Sequence, residues 1–551
     1  MIMTLLGGLG LFIFGMTMMS DGLKNIAGNR MKNLLEALTN NRFLGVLVGT
    51  IVTAIVQSSS AVTVMVVGFV NAGIMNLLQA TGVIMGANIG TTVTAQLVAF
   101  NLTQFAPLAI ASGAVMYIFG KRKRFKQIGY MILGFGILFL GMKLMSDAMK
   151  PLRDFEGFRS LLISFSHNPI LGVLAGFILT AIIQSSSASI GLLQALVIAG
   201  AFNIPNVNPL ALIIPILMGQ NIGTCVTSML SGIGATITAK RAALIHLLFN
   251  VLGTIWFLII LSLAGNPIYN FITSISGTTI LEGNIVPDLA RQIANTHTIF
   301  NVSNTIVLLP FAHALVRLTE KVLPGDDEDR GGLKYLDERI LENPAIAVGQ
   351  AIKETVRMGR FALDNIAFAT KAFLEEDEEL IEEVFKKEQI INELEREITK
   401  YLVALSNSNL SDMDYLRISN LFHTINDIER IGDHGENLAE LAQYRIEHKL
   451  SFSNIAIAEM EEMIHRVQDI ISKAIDALEH DNIQLAKTIE DQEQEIDILE
   501  QQLRDGHIKR LNNHSCHPSS GVIFLDMISN LERIADHATN IGKTVIDLEK
   551  I

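Results

Sequence analysis

The sequence predicts an all-α chain: a polytopic helical membrane domain of two inverted repeats with re-entrant hairpins, then a soluble domain of two three-helix bundles. Three observations carry this. TAIVQSSSA at Thr53–Ala61 recurs as TAIIQSSSA at Thr180–Ala188. Each copy sits in a stretch without Asp, Glu, Lys or Arg, from Phe43 to Gly120 and from Ser160 to Ala239. The charge of the 551 residues is unevenly spread: residues 1–320 hold 17 Lys+Arg against 8 Asp+Glu, and the remainder 25 against 47. A sparsely charged front half joined to a heavily charged back half describes a membrane domain of residues 1–320, a linker over 321–345 and a soluble domain over 346–551. The acidic back half lacks the basic face that nucleic acid requires. Two cysteines, Cys225 and Cys516, fall one in each half, so no disulfide framework exists.

Met1–Met19 is apolar without a basic leader and reads as a first spanning helix rather than a cleaved signal. GMTMMSDGLK at Gly15–Lys24 matches GMKLMSDAMK at Gly141–Lys150, and GANIGTT at Gly86–Thr92 matches GQNIGTC at Gly219–Cys225. Three landmarks in one order make an internal duplication, with repeat one near 1–120 and repeat two near 127–265. The basic cluster Lys121–Lys126 is expected in the cytoplasm. Segment 127–146 then crosses outward, 208–230 returns, 242–264 goes out, and an extra span at 294–318 comes back. Reading backwards, 104–120 and 78–99 form an out-and-back pair. Arg30, Lys32 and Arg42 fall inside and residue 1 outside. The apolar pieces beside each QSSSA are too short to span, since a spanning helix needs about 20 residues. Residues 43–72 and 170–200 are therefore expected as re-entrant hairpins, the first from the cytoplasm and the second from outside.

A Gln and three Ser are poor lipid-facing residues. Gln57, Ser58, Ser59, Ser60 and Gln184, Ser185, Ser186, Ser187 offer donors and acceptors at two broken helices, the inverted-repeat design of secondary transporters. Close helix packing through small residues is the competing explanation. Without Arg or Lys, an anion can still sit at helix N-termini, and hydroxyls and carbonyls can hold a hard cation such as Na⁺. Mobile cations would then supply the counter-charge and leave with the anion. Asn88, Thr91 and Thr92, with Asn221, Thr224 and Cys225, form a second polar pair whose alternative is a helix contact.

The paired QSSSA repeats resemble the type II sodium–phosphate cotransporter family over roughly residues 1–310. The resemblance implies Na⁺-coupled movement of inorganic phosphate by a non-enzyme. It implies that the two QSSS segments contact phosphate. Nearby polar groups (Thr53, Asn88, Thr91, Thr92, Thr180, Asn221 and Thr224) would hold Na⁺ or support the groups that do. Transport direction stays open, and a phosphate-sensing receptor without net transport, or an exporter, are the alternatives.

Beyond VLPGDDEDRGG at Val322–Gly332, six amphipathic helices are expected near 346–375, 377–405, 412–445, 453–480, 482–512 and 519–550, in bundles of about 346–447 and 452–551. ERIGDHGEN at Glu429–Asn437 recurs as ERIADHATN at Glu532–Asn540, and EQIINELE at Glu388–Glu395 as EQEIDILE at Glu493–Glu500. Glu429, Asp433 and Asn437 share one helix face, as do Glu532, Asp536 and Asn540. With Glu388, and with Glu493, Asp497 and Glu500, they form either a site for iron, zinc or another divalent metal or a solvated charged face. His434 and His537 lie about 100° away, as secondary candidates. His514, Cys516 and His517 read as surface-loop residues rather than a zinc site. The doubled ER-x-x-DH-x-x-N pattern is similar to the PhoU family over about 340–551. That resemblance implies metal-binding bundles, a regulatory role in phosphate transport, and docking of a second copy or of a phosphate-signalling protein. Asn392 stands where repeat two has Asp497, so unequal metal loading is expected. The whole is expected in the plasma (inner) membrane of a bacterium, its C-terminal domain cytoplasmic.

Overall fold

The computed structural model describes residues 1–27, 42–100, 102–281, 284–325, 333–408, 410–513 and 515–550. The chain divides into two units, Met1–Asp327 and Glu328–Ile551. The expected Arg30 and Lys32 positions and most of the linker lie outside the described residues.

The first unit starts with α1 (Ile2–Ala27), α2 (Arg42–Val56), α3 (Ser59–Asn71), α4 (Leu77–Ala99), α5 (Ala106–Phe119) and α6 (Lys123–Met149). It continues with α7 (Glu156–His167), α8 (Pro169–Ile183), α9 (Ser186–Ile198), α10 (Pro209–Ser231), α11 (Ile237–Ser276), α12 (Leu289–Leu308) and α13 (Ala312–Val322). Among the described residues, seven segments are long and apolar enough to cross a membrane, at the places the sequence predicts. Two features differ. α11 does not stop near 264: Ala264 leaves helical geometry, Pro267 lies inside, and the helix resumes to Ser276. A proline removes one backbone bond and kinks a helix without having to end it. A short antiparallel pair, β1 (Thr278–Leu281) with β2 (Asn284–Pro287), then departs from the all-α expectation.

The hairpins are re-entrant. α2 has 15 residues and α3 has 13, so each extends only about 20 Å, short of the ~30 Å hydrocarbon core. A Cβ on Gly45 would lie 3.4 Å from the Gln79 carbonyl and one on Gly82 2.6 Å from the Arg42 carbonyl, so α2 starts beside the start of α4. α3 ends at Asn71, a short turn from that same point. The pair therefore enters and leaves on one side. α8 and α9 repeat this against α10, where a Cβ on Gly172 would lie 3.0 Å from Pro215. Three spans, α4, α5 and the one containing α6, separate the two hairpins, and an odd number places them on opposite faces.

The inversion is also visible where α1 meets α6, the helices bearing the matched GMTMMSDGLK and GMKLMSDAMK. They pack antiparallel. A Cβ on Gly8 would lie 2.8 Å from the Met145 nitrogen, and one on Gly22 2.8 Å from the Met131 Cβ. Glycines at such crossings let backbones approach where no water drives association.

In the second unit α14 (Pro344–Glu375), α15 (Glu378–Ser406) and α16 (Asp412–Glu447) form one bundle. α17 (Asn454–His480), α18 (Ile483–Asn512) and α19 (Pro518–Ile546) form the other. All six lie within a few residues of their expected bounds, because each carries a regular apolar stripe and five carry a polar cap: Asp377, Ser411, Ser453, Asn482 and His517 each accept a backbone N–H of the helix they start.

Gly86 and Gly219 face the Val46 and Val173 carbonyls with no room for a Cβ. Gly86→Val and Gly219→Val should each destabilise the detergent-solubilised protein by about 1–3 kcal/mol. Gly7→Ala, where nothing lies within 4 Å, should change stability by less than about 0.5 kcal/mol. Thermal melting checks all three.

Candidate functional site

The two QSSS segments adopt one backbone design. Gln57 and Gln184 both have φ 57, in the left-handed region. Each closes the preceding helix by donating its N–H to the carbonyl four residues back, Thr53 or Thr180, at 2.7 Å. Ser58 and Ser185 are extended and cap the next helix, accepting from the Ala61 and Ala188 N–H groups at 3.2 Å. Ser59 and Ser60, like Ser186 and Ser187, therefore occupy first-turn positions whose N–H groups have no partner within their own helix. Ser59, Ser186 and Ser187 are buried. α3 packs on α4 and on α10, and α9 packs on α10 and on α4, so each hairpin is held by both repeats.

The side chains break this symmetry. Gln57 is 3% exposed, and its Oε1 accepts from the Thr94 hydroxyl at 2.7 Å. Gln184 is exposed. Thr53 and Thr180 are fully buried, and neither hydroxyl has a partner.

In the second polar pair, Asn88 Nδ2 donates to the Ile84 carbonyl at 2.8 Å, and Thr91, Thr92 and Thr224 also bond carbonyls of their own helices. Asn221 behaves differently: its Oδ1 lies 3.0 Å from His297 Nε2 on α12. Cys225 accepts from Asn250 Nδ2 on α11 at 3.4 Å. Sequence reasoning missed these partners. The signal was a third duplication, HLLFNVLGT at His246–Thr254 and HTIFNVSNT at His297–Thr305.

In the second unit the two bundles diverge, in the direction that Asn392 in place of Asp497 leads one to expect. Glu493, Asp497 and Asp536 each bring a carboxylate oxygen within 4.8 Å of the others. Burial and mutual repulsion hold Glu493 and Asp497 above the usual carboxylate range, and Glu532 rises for the same reasons. In the first bundle Glu388 turns inward instead. It is 3% exposed, with Asn365 Nδ2 at 3.4 Å and Gly432 against it. A Cβ on Gly432 would lie 2.6 Å from Glu388 Oε2, so glycine makes the pocket that Ala535 closes in the second bundle. Burial, then the charges of Asp433, Glu436 and Glu429, push Glu388 up to about 8. Asp433 and Glu429 flank Arg430.

Asn437 and Asn540 were grouped with the carboxylates by spacing. Each instead donates across to the other bundle, Asn437 to Asn530 and Asn540 to Asp427, at 3.5 and 3.3 Å. His434 and His537 face the same interface, bonding Asn530 and Asp427 at 2.8 and 2.9 Å. The helix-face argument fixed the row but not the side toward which its outer edge turns. His514 lies outside the described residues, and Cys516 Sγ lies 4.0 Å from His507 Nε2.

The Na⁺/Pi-cotransporter family profile matches residues 11–147 and 141–281, and the PhoU domain profile matches 355–442 and 460–545. "Putative inorganic phosphate export protein YjbB" of Escherichia coli K12 is 24% identical over 98% of this chain and 97% of its own length. An uncharacterized Bacillus subtilis protein, YqeW, is 30% identical over 57% of this chain and 95% of its own. The crystal structure of PhoU from Pseudomonas aeruginosa aligns at 24% identity and TM-score 0.35, covering 36% of this chain and 95% of that one.

Glu388 carries a pH dependence in the metal-free protein. Its folded pKa of about 8 lies above the unfolded 4.5, so the protonated form favours folding. The contribution is fully present at low pH and is lost as pH rises through about 8. Protection factors of α15 amides, corrected for the intrinsic pH dependence of exchange, should fall between about pH 6 and 9 in the chelator-treated chain, and Glu388→Gln should flatten that fall.

Proposed function

The chain belongs to the Na⁺/Pi-cotransporter family and carries two PhoU domains, and from that premise we propose that it moves inorganic phosphate across the membrane with Na⁺ by alternating access, under control of the second unit. The observation that carries this reading is the pair of identical left-handed breaks at Gln57 and Gln184, each starting a buried helix N-terminus inside an apolar hairpin. First-turn N–H groups and serine hydroxyls suit a tetrahedral oxyanion. No Lys or Arg lies between Phe43 and Gly120 or between Ser160 and Ala239, so mobile Na⁺ supplies the counter-charge. When Na⁺ leaves, the anion loses its partner, which couples the two without a fixed cation. Among the described residues seven segments are long and apolar enough to span, an odd number that fits ends on opposite sides, and the basic cluster Lys121–Lys126 favours a cytoplasmic second unit.

The match to an export protein over 98% of this chain favours release as the working direction. Radiolabelled phosphate flux in proteoliposomes, with Na⁺ or Li⁺ gradients imposed each way, tests coupling and direction together. Phosphate flux indifferent to Na⁺ would remove the coupling, and phosphate bound without flux would leave a receptor. Gln57→Ala and Gln184→Ala should each nearly abolish flux at normal expression, whereas single Ser→Ala changes should cost about 1 kcal/mol each.

The second unit is read as a metal-dependent regulator in which Glu493, Asp497 and Asp536 hold a divalent cation; iron or zinc follows from the PhoU resemblance, whereas an all-carboxylate set by itself also suits a harder ion. Asp497→Asn with Asp536→Asn should lower metal content, measured by elemental analysis of the full chain, without stopping basal flux. Removing residues 330–551 should raise flux or free it from cellular phosphate status, and an unchanged response would exclude regulation.

A further inference from the structure

Three helices of the membrane unit enclose more polar atoms than hydrogen bonds. On α11, His246 and Asn250 face α10: Ser228 Oγ lies 3.0 Å from His246 Nδ1, and Asn250 Nδ2 reaches Cys225 Sγ at 3.4 Å. The neighbouring face of α11 meets α12: Asn304 donates to the Phe249 carbonyl at 3.0 Å, and the Phe257 and Phe300 rings lie 5.3 Å apart. On α12, His297 faces α10 through Asn221. By helical spacing, Asn250 and Thr254 on α11 and Asn301 on α12 therefore lie on the faces that line the seam of the three helices.

Most of the unpartnered atoms there are acceptors, with Asn221 Nδ2 on α10 an unpartnered donor among them. Asn250 Nδ2 and Asn301 Nδ2 donate to the His246 and His297 carbonyls at 3.1 and 2.9 Å. Those bonds fix each amide so that its oxygen turns inward. Asn250 Oδ1, Thr254 Oγ1 and Asn301 Oδ1 are buried without a partner, in residues 0, 4 and 0% exposed. The Ser228 hydroxyl donates to the Cys225 carbonyl at 2.8 Å, so His246 Nδ1 must donate to Ser228, which leaves the Nε2 lone pair also unpartnered. A dry membrane interior lined by oxygen and nitrogen lone pairs is costly unless a positive ligand fills it.

We propose that Asn250, Thr254 and Asn301 hold a monovalent cation, Na⁺ in the working protein, at a site separate from the QSSS hairpins. Oxygen ligands without charge suit a hard monovalent ion that must come and go. The duplicated His-x₃-Asn-x₃-Thr row supplies these ligands from two antiparallel helices. The identity of the ion rests on the Na⁺-coupled reading above; the site itself does not depend on phosphate binding at the hairpins.

The test is thermal melting and ²²Na⁺ binding of the detergent-purified full chain in phosphate-free NaCl, LiCl, KCl or choline chloride. Wild type should show a saturable Na⁺-dependent rise in melting temperature. Asn250→Leu and Asn301→Leu should lose that rise, or need roughly tenfold more Na⁺ or beyond. In choline they should melt no lower than wild type, because an unpartnered amide oxygen has gone. Asn250→Asp and Asn301→Asp, which restore a liganding oxygen, should recover ²²Na⁺ binding even if their melting differs. Gln57→Ala should lose phosphate flux yet keep the Na⁺-dependent rise, which separates this site from the hairpin reading. The inference is overturned if wild type shows no Na⁺ effect, or if both Leu variants bind ²²Na⁺ as wild type does. It is equally overturned if the effect vanishes in Gln57→Ala while surviving in the Leu variants.

Discussion

Inside a bilayer a backbone cannot leave its N–H and C=O groups unsatisfied, and the membrane unit is organised around two places where the helix is nevertheless broken. At each, one left-handed glutamine ends the incoming helix with a backbone bond, and the next serine caps the outgoing one. A lone polar residue could not do this. The glutamine turns the chain, the first serine satisfies a first-turn N–H, and the remaining serines sit where other first-turn N–H groups are still free. The break and the ligand-binding capacity are thus one feature: the groups that make a broken helix costly are those that an anion can satisfy.

Two short arms cannot hold such a break in place alone. Gly86 and Gly90 press α4 onto α2, and Gly219 and Gly223 press α10 onto α8. Cβ atoms on Gly90 and Gly223 would lie 2.6 and 2.7 Å from the Cβ atoms of Thr53 and Thr180, four residues before each glutamine. The GANIGTT and GQNIGTC motifs therefore divide their labour. Their glycines serve close packing that fixes the hairpin, and their Asn and Thr residues carry the polar surface. Close packing and a polar row coexist within one motif because adjacent helical positions face different neighbours.

The repeat structure was legible in the sequence because duplicated strings preserve what both copies need. Hairpin bounds, span positions and all six soluble helices fall where breaks in charge, apolar periodicity and capping residues place them. What escaped depends on details that no single copy announces. Gly432 against Ala535 decides whether a glutamate turns inward, yet both are small residues in a matching string. The kink at Pro267 resembles a helix end, since proline weakens both readings equally. The β1–β2 pair is too short for an alternating pattern to register. The His-x₃-Asn-x₃-Thr row was present in the sequence twice, but its fixed spacing on apolar helices resembles ordinary packing until partners on a third helix are seen.

The differences between copies carry as much meaning as the likeness. Both breaks share φ 57, yet Gln57 is 3% exposed and bonded to Thr94 while Gln184 is exposed. Two inverted repeats with identical conformations would give a symmetric unit with neither side favoured. Alternating access requires the repeats to differ in any one state and to exchange that difference. On that reading, the buried glutamine marks the repeat packed shut and the exposed one the repeat whose hairpin is accessible. The Gln57–Thr94 bond then belongs to one state only. In the opposite state the equivalent bond can form in repeat two, because the residue matching Thr94 there is Thr227, whose hydroxyl is buried without a partner. That waiting hydroxyl is what the mirror-image state would need to receive Gln184.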